Sequence, residues 1–449
     1  MNPVLIVACV VLAVIQLRIS RDWAFLPLII AVCHTPYTPF LAGLTVTRVV
    51  LLVGIFRAVQ EGCFRWSFKD TRDRLILLFA VVALISTFAH EWGRVNPLNE
   101  RIRLVLDVVG TYLFARAFLV ENKAIARLGI GLAFVMVPFA VMMAFQKATG
   151  FNPYSILGAP SFSLIRDGEF RAQGPFGTPI LAGTAGASVI ALLIPLWREW
   201  RKVAIMGTAA SLIVVIASGS SGPIGTTVLS LGVVSLWRWR GNLRQIRVVA
   251  VIGLIIIHFV RTRPVWHLMS IIDIVGGSTG WHRAYLIDMA VAHLDEWWLL
   301  GCDYTNHWMP YALAAVPEHC DLTNYYIQLG VTGGLPLMIC LVLSQWKAFR
   351  SLGGAFREIG GAGTEAEFRL WCVGSALFAH TITFLSISYF DQMSVFFWLL
   401  VGGLPGFISD SSGPAGEEPE DWDDEPTGPV VWADWAPGEH RDWQPSRDS

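Results

Sequence analysis

The chain has 449 residues, 54% of them hydrophobic and 15% charged, with a formal net charge of -1 and a mean hydropathy of +0.54. Soluble domains carry about a quarter charged residues, so an ordinary water-soluble fold is excluded. No basic patch is available for a nucleic-acid partner. The composition is that of a polytopic membrane protein.

Apolar runs approaching or reaching the length needed to cross roughly 30 Å of hydrocarbon recur along the chain. They lie near 2–17, 23–41, 44–58, 75–89, 103–120, 126–147, 178–197, 203–218, 222–237, 247–260, 323–346, 370–387 and 393–408. The second contains Pro27, Pro36 and Pro39, so it is expected to dip into the bilayer and return. The expected fold is an all-α bundle of about 12 (12–13) transmembrane helices over residues 1–408, with a large, partly helical periplasmic loop. The first run lacks a basic leading region and a small-residue cleavage site before Arg18, and is expected to remain in the protein.

Basic residues near span ends are retained on the cytoplasmic side. Of the 33 Lys and Arg, 20 fall in alternate loops near 18–21, 57–74, 123–127, 198–202, 238–247 and 347–369. Those loops are therefore expected to be cytoplasmic, and the long connections 148–177 and 261–322 periplasmic, with 90–102, 218–222 and 388–392. Arg48 and Arg116 lie inside spans, where charge is costly, and must face the bundle interior, an aqueous cavity or the interface. Residues 409–449 carry twelve acidic residues with repeated Gly and Pro. They cannot build a core and read as an acidic, disordered cytoplasmic tail, with Trp422, Trp432, Trp435 and Trp443 available as a docking motif.

The outer loops hold the residues that carry chemistry. Arg171 precedes a Gly/Pro turn that opens an apolar helix. Free N–H groups at such a helix start favour an anion, and an arginine beside them adds a phosphate clamp; an interfacial arginine reaching for lipid headgroups is the alternative. Residues 281–300 place Trp281, Tyr285, Met289, Ala292 and Trp297 near the helical period, predicting an amphipathic helix on the membrane surface with Trp297 and Trp298 at the interface. Arg283 on that helix is suited to a phosphate, or to a neighbouring carboxylate such as Asp288. In Glu318-His319-Cys320-Asp321, His319 or Asp321 is a candidate general base, partial burial tuning either toward neutrality; a loop histidine without a task is the plainer reading. Cys302 and Cys320 share the 261–322 loop, where an oxidising compartment allows them to pair or to stay free. No metal-ligand spacing appears among the cysteines and there is no His-Glu-x-x-His, so neither metal nor cofactor is expected.

Three elements in this order resemble the O-antigen ligase and polymerase superfamily (Wzy/WaaL-like) of bacterial envelope-polysaccharide enzymes. They are Arg171-x-x-Gly174-Pro175-Phe176-Gly177-Thr178-Pro179, the long late outer loop, and Thr323-Asn324-Tyr325-Tyr326-Ile327 leading into a span with Gly330, Gly333 and Gly334. The resemblance spans roughly 75–408. It implies a membrane glycosyltransferase (GT-C-like) fold in the bacterial inner membrane, acting without metal on an undecaprenyl-diphosphate-linked glycan and passing it, with inversion, to a glycan or lipid-linked acceptor. It also implies membrane lipid and polysaccharide-export machinery as partners, Arg171 and Arg283 as diphosphate ligands, His319 with Asp321 as substitute for the base, and Asn324 and Tyr326 as substrate contacts. Two departures stand out. Where the family often has Ser-Arg-Gly this chain has Ser220-Ser221-Gly222, and Thr323 occupies the place of the histidine that often precedes the asparagine. A multi-span transporter and a non-catalytic export partner are the rival functions.

Overall fold

The computed structural model describes residues 2–40, 43–92, 96–120, 123–270, 280–309, 318–360 and 363–412. The tail expected over 409–449 lies outside the described residues from 413 onward. The described residues are mostly helical: α1 (Pro3–Arg18), α2 (Phe25–His34), α3 (Val46–Gln60), α4 (Thr71–Ser86), α5 (Pro97–Val105), α6 (Thr111–Phe118), α7 (Ala124–Thr149) and α8 (Pro179–Leu193) come first. Then follow α9 (Arg201–Ala217), α10 (Ser221–Ser235), α11 (Leu243–Val260), α12 (Gly280–Ala292), α13 (Leu294–Trp297), α14 (Tyr325–Ile359), α15 (Glu365–Thr383) and α16 (Ser394–Ser412).

Each of the thirteen apolar runs coincides with helix, α5 and α6 sharing one run through a π-turn at Leu106–Gly110. Among the described residues five helical stretches are long and apolar enough to cross a membrane: Ala124–Thr149, Pro179–Trp197, Ser221–Val260, Tyr325–Ile359 and Ser394–Ser411. The proline-bearing second run forms only the short α2, which ends at His34. On α11, Val249, Ile252, Ile256 and Phe259 are all exposed and no residue of the helix is buried. An apolar helix that leaves this much of its surface uncovered belongs in lipid, and the protein is membrane-embedded.

Inside, α7 packs on α9, α8 on α9 and α10, α4 on α14, and α6 on α16. Helix α8 is built of small residues, and from Leu181 to Leu193 all are buried. The absence of bulk lets neighbouring backbones approach, so that a Cβ on Gly183 would lie 2.4 Å from Ser218 Oγ. Arg48 and Arg116 face inward and are paired. Arg48 binds Asp107 through two nitrogens at 2.7 and 2.8 Å, and Arg116 binds the buried Asp73 at 3.0 Å.

An all-α chain is not quite what forms. Residues Leu164–Arg166 (β1) and Glu169–Arg171 (β2) make a two-stranded antiparallel hairpin. Asp167 and Gly168 take positive φ at its tip (53° and 81°), the conformation that an Asp-Gly pair supplies to a two-residue hairpin turn.

Candidate functional site

The hairpin aims Arg171. Its register pairs Leu164 with Arg171 and Arg166 with Glu169, which places Arg166 and Arg171 on one face. The turn after β2 is held by Gln146, whose Oε1 accepts from the Gly174 N–H at 2.8 Å, and by Asn152, which donates to the Gly174 carbonyl at 2.8 Å. Arg171 thereby reaches the Ser218–Ser220 turn that opens α10, donating to Ser220 Oγ at 2.5 Å and to the Ser218 carbonyl at 3.4 Å. The predicted tight turn at 218–222 is thus the seat of a guanidinium at a helix N-terminus. Glu169, the nearest carboxylate in sequence, is taken by Lys147 at 2.9 Å.

Arg283 sits in the first turn of α12 and does not pair with Asp288. That carboxylate is occupied by Trp266 Nε1 at 2.7 Å and His267 Nε2 at 2.8 Å. Arg283 Nε is buried without a hydrogen-bond partner. Arg166 stands close enough to Arg171 and Arg283 to disfavour the charge of both, which burial already penalises. Against this, Asp167 acts favourably on Arg171 and Asp321 on Arg283. Arg166 of the hairpin is thus near both Arg171 on the neighbouring strand and Arg283 on α12. Neither Arg171 nor Arg283 has an ion-paired carboxylate among the described residues, an arrangement that calls for an anion.

Asp321 lies near Arg283. Surrounding protein pushes its carboxyl above the ordinary carboxylate range, against the pull of His282 and Arg283. His282 Nε2 also lies 3.1 Å from the Asp321 backbone carbonyl, fixing the segment to α12. His319 goes elsewhere: Nδ1 is 3.2 Å from Thr305 Oγ1, and burial holds the imidazole below its usual range despite the nearby Asp303 and Glu318. Its surroundings are a second cluster, in which His90 Nδ1 contacts Asp303 at 2.5 Å and Arg101 donates to the Thr332 carbonyl at 2.6 Å. Of the two candidate bases, only Asp321 lies near Arg283.

The other expected residues have structural work. Asn324, expected to touch substrate, is 2% exposed and caps α14; its Oδ1 accepts from Ile327 N and its Nδ2 donates to the Leu385 carbonyl. The Tyr326 hydroxyl donates toward Gln345 Oε1 and the Thr381 carbonyl, both at 3.0 Å. Cys302 and Cys320 lie in one apolar cluster with Trp297 and Trp308 but are free thiols. Burial pushes Cys302 up to about 12, and Cys320 Sγ contacts Thr305 Oγ1 at 3.5 Å. The predicted amphipathic helix breaks at His293 into α12 and α13. Its inward residues are Ala284, Leu286 and Ala290, whereas Trp281 is exposed and Trp297 is buried. Of the residues not foreseen as parts of this site, Arg166 and Ser220 are brought in by the hairpin, for which the Asp167-Gly168 pair was the signal, whereas His282 comes from α12.

No protein-family model matches the chain, and no curated protein does.

Proposed function

We propose that the protein is a polysaccharide polymerase or ligase that transfers an undecaprenyl-diphosphate-linked glycan at the periplasmic face of the bacterial inner membrane. In this reading the thirteen helical runs form the 12 or 13 spans of a GT-C-like bundle, and the tail is cytoplasmic. The observation that carries it is that Arg171 and Arg283 each lie near Arg166 with no ion-paired carboxylate among the described residues, and that Asp321, its carboxyl raised, lies near Arg283. An activated glycosyl diphosphate places its main electrostatic demand on the departing anion, and fixed arginines meet that demand. The acceptor hydroxyl gives its proton to Asp321 and attacks the anomeric carbon. As the new C–O bond forms, the bond to the diphosphate oxygen breaks, and undecaprenyl diphosphate leaves with its charge on the arginines. Beside the hairpin, an apolar groove between α7 and residues 151–161, lined by Val141, Phe145, Phe151 and Ile156, suits the polyprenyl chain.

Complementation of a deletion strain tests this. Arg171→Ala and Arg283→Ala are each expected to lower glycan transfer by about 10² or more. Accumulated single lipid-linked repeats identify a polymerase and accumulated long lipid-linked chains a ligase; unchanged glycan length and attachment in both variants would refute the diphosphate assignment.

One feature favours a transporter instead, because interrupted helices mark transport sites and α14 breaks at Gly333–Gly334. The ends at this break are engaged, however: the Thr332 carbonyl accepts from Arg101 and the Leu335 N–H donates to the Trp298 carbonyl. Solute uptake by vesicles, with no extension of lipid-linked oligosaccharide, would decide for transport.

A further inference from the structure

Away from the arginines, the junction of α12 and α13 brings His293, Glu296 and His307 together, one ligand atom from each lying within 4.8 Å of the others. His293 Nδ1 is 2.8 Å and His307 Nε2 3.0 Å from the same oxygen, Glu296 Oε1. We propose that this triad binds a divalent transition-metal ion of the zinc class, joining the end of the α12–α13 segment to the Asn306–Trp308 turn.

Three observations carry the assignment. The first is the ligand set: two imidazoles and one carboxylate suit a borderline cation, and three protein ligands leave a coordination position open. The second is spacing. Ligands on a tetrahedral ion with bonds of about 2.0–2.1 Å lie roughly 3.3 Å apart, so only small side-chain adjustments admit the ion. The third is the support behind the ligands. Trp308, fully buried, donates its indole N–H to the other carboxylate oxygen, Glu296 Oε2, at 3.0 Å. The same indole lies parallel to the His293 ring, with centroids 5.8 Å apart and planes at 10°. An oriented carboxylate and a stacked imidazole are the outer supports that metal sites use to fix their ligands. His307 and Glu296 are exposed and His293 is half-buried, so an ion can enter from solvent. Sequence inspection passes over this group because His293 and Glu296 are three residues apart while His307 arrives from a separate turn.

The test uses the full chain purified in detergent, freed of any affinity tag, stripped with chelator and titrated with Zn2+ or Co2+ alone. One zinc per chain is expected to be retained by the wild type. His293→Ala, His307→Ala and Glu296→Gln should each weaken binding at least about tenfold, and Co2+ should give the visible absorption of a four-coordinate ion in the wild type only. Glu296→Gln keeps the shape of the side chain and an acceptor for Trp308, so it reports on the ligand even if a histidine variant folds poorly. Equal zinc retention by wild type and Glu296→Gln would overturn the proposal, as would zinc lost on Cys302→Ser but kept on His307→Ala.

Discussion

At the scale of residues, the sharpest distinction is between His319 and Asp321, two positions apart in one irregular segment. The Thr305 N–H bonds the Glu318 carbonyl and Thr305 Oγ1 accepts from the Cys320 N–H, so this end of the segment is tied to the 302–309 turn. His282 holds the Asp321 carbonyl on the other side. The two side chains consequently serve different clusters, a divergence that no pattern of residue types announces. Arg171 and Arg283 were legible because lone arginines in outer loops need a partner; which carboxylate joins them depends on the fold. If Asp321 is the base, its ionised form grows as pH rises through its raised value, so transfer should fall on acidification at a pH above the ordinary carboxylate range. Arg283 helps to pull that carboxyl down against burial, so Arg283→Ala should move the acid limb of any residual activity to still higher pH. Asp321→Asn should cost on the order of 10²–10⁴ in rate while His319→Ala preserves the profile. A pH–rate profile that shifts with His319→Ala and not with Arg283→Ala would return the role to the histidine.

At the scale of elements, helices were readable because apolar runs of span length leave the backbone no other way to satisfy its hydrogen bonds in lipid. What escaped was the hairpin, six strand residues within a loop, and the break inside α14. That break has a specific cause. Gly334 has φ of 76°, and a Cβ there would lie 2.2 Å from the Leu299 carbonyl oxygen; a Cβ on Gly301 would lie 2.2 Å from the Val331 carbonyl oxygen. The outer loop therefore crosses the broken helix backbone against backbone, sealed by Cys302 N–Val331 O at 2.9 Å and Leu335 N–Trp298 O at 2.8 Å. With ψ at 180° Gly334 lies in a region that essentially only glycine adopts, which costs another residue about 1–3 kcal/mol, before the clash with a carbonyl that cannot swing away. Gly334→Ala should thus lower the thermal unfolding midpoint in detergent. Gly353→Ala, in the same helix with nothing within 4 Å of the added carbon, should not. Equal midpoints for the two variants would mean that the loop does not sit on the break.

At the scale of the whole molecule, the alternation of basic loops assigns the connections to two sides, and the contacts that follow each join two connections assigned to the same side. On one face Arg171 of the 148–177 connection meets Ser218 and Ser220, His90 meets Asp303, and Ser388 bonds the Leu322 carbonyl. On the other, Arg198 meets Glu365 at 3.2 Å, Arg127 meets Asp22 at 2.6 Å, and Arg240 meets Glu367 at 3.5 Å. An exposed ion pair such as Arg198–Glu365 contributes about 1 kcal/mol or less, so the value of these pairs is topological: they can form only if the loops emerge together. Charge bias orients such a bundle through retention of Lys and Arg, which predicts that the hairpin face is periplasmic. With Cys302 replaced by Ser, the six remaining cysteines are buried, so single exposed cysteines can report the side. An impermeant maleimide should label Phe162→Cys, 76% exposed beside the hairpin, in spheroplasts, and Lys202→Cys only after lysis. The reverse pattern would invert the protein and move the arginine site to the cytoplasm. Simultaneous labelling of both would break the two-face arrangement itself, and with it the argument that Arg171, Arg283 and Asp321 meet one substrate.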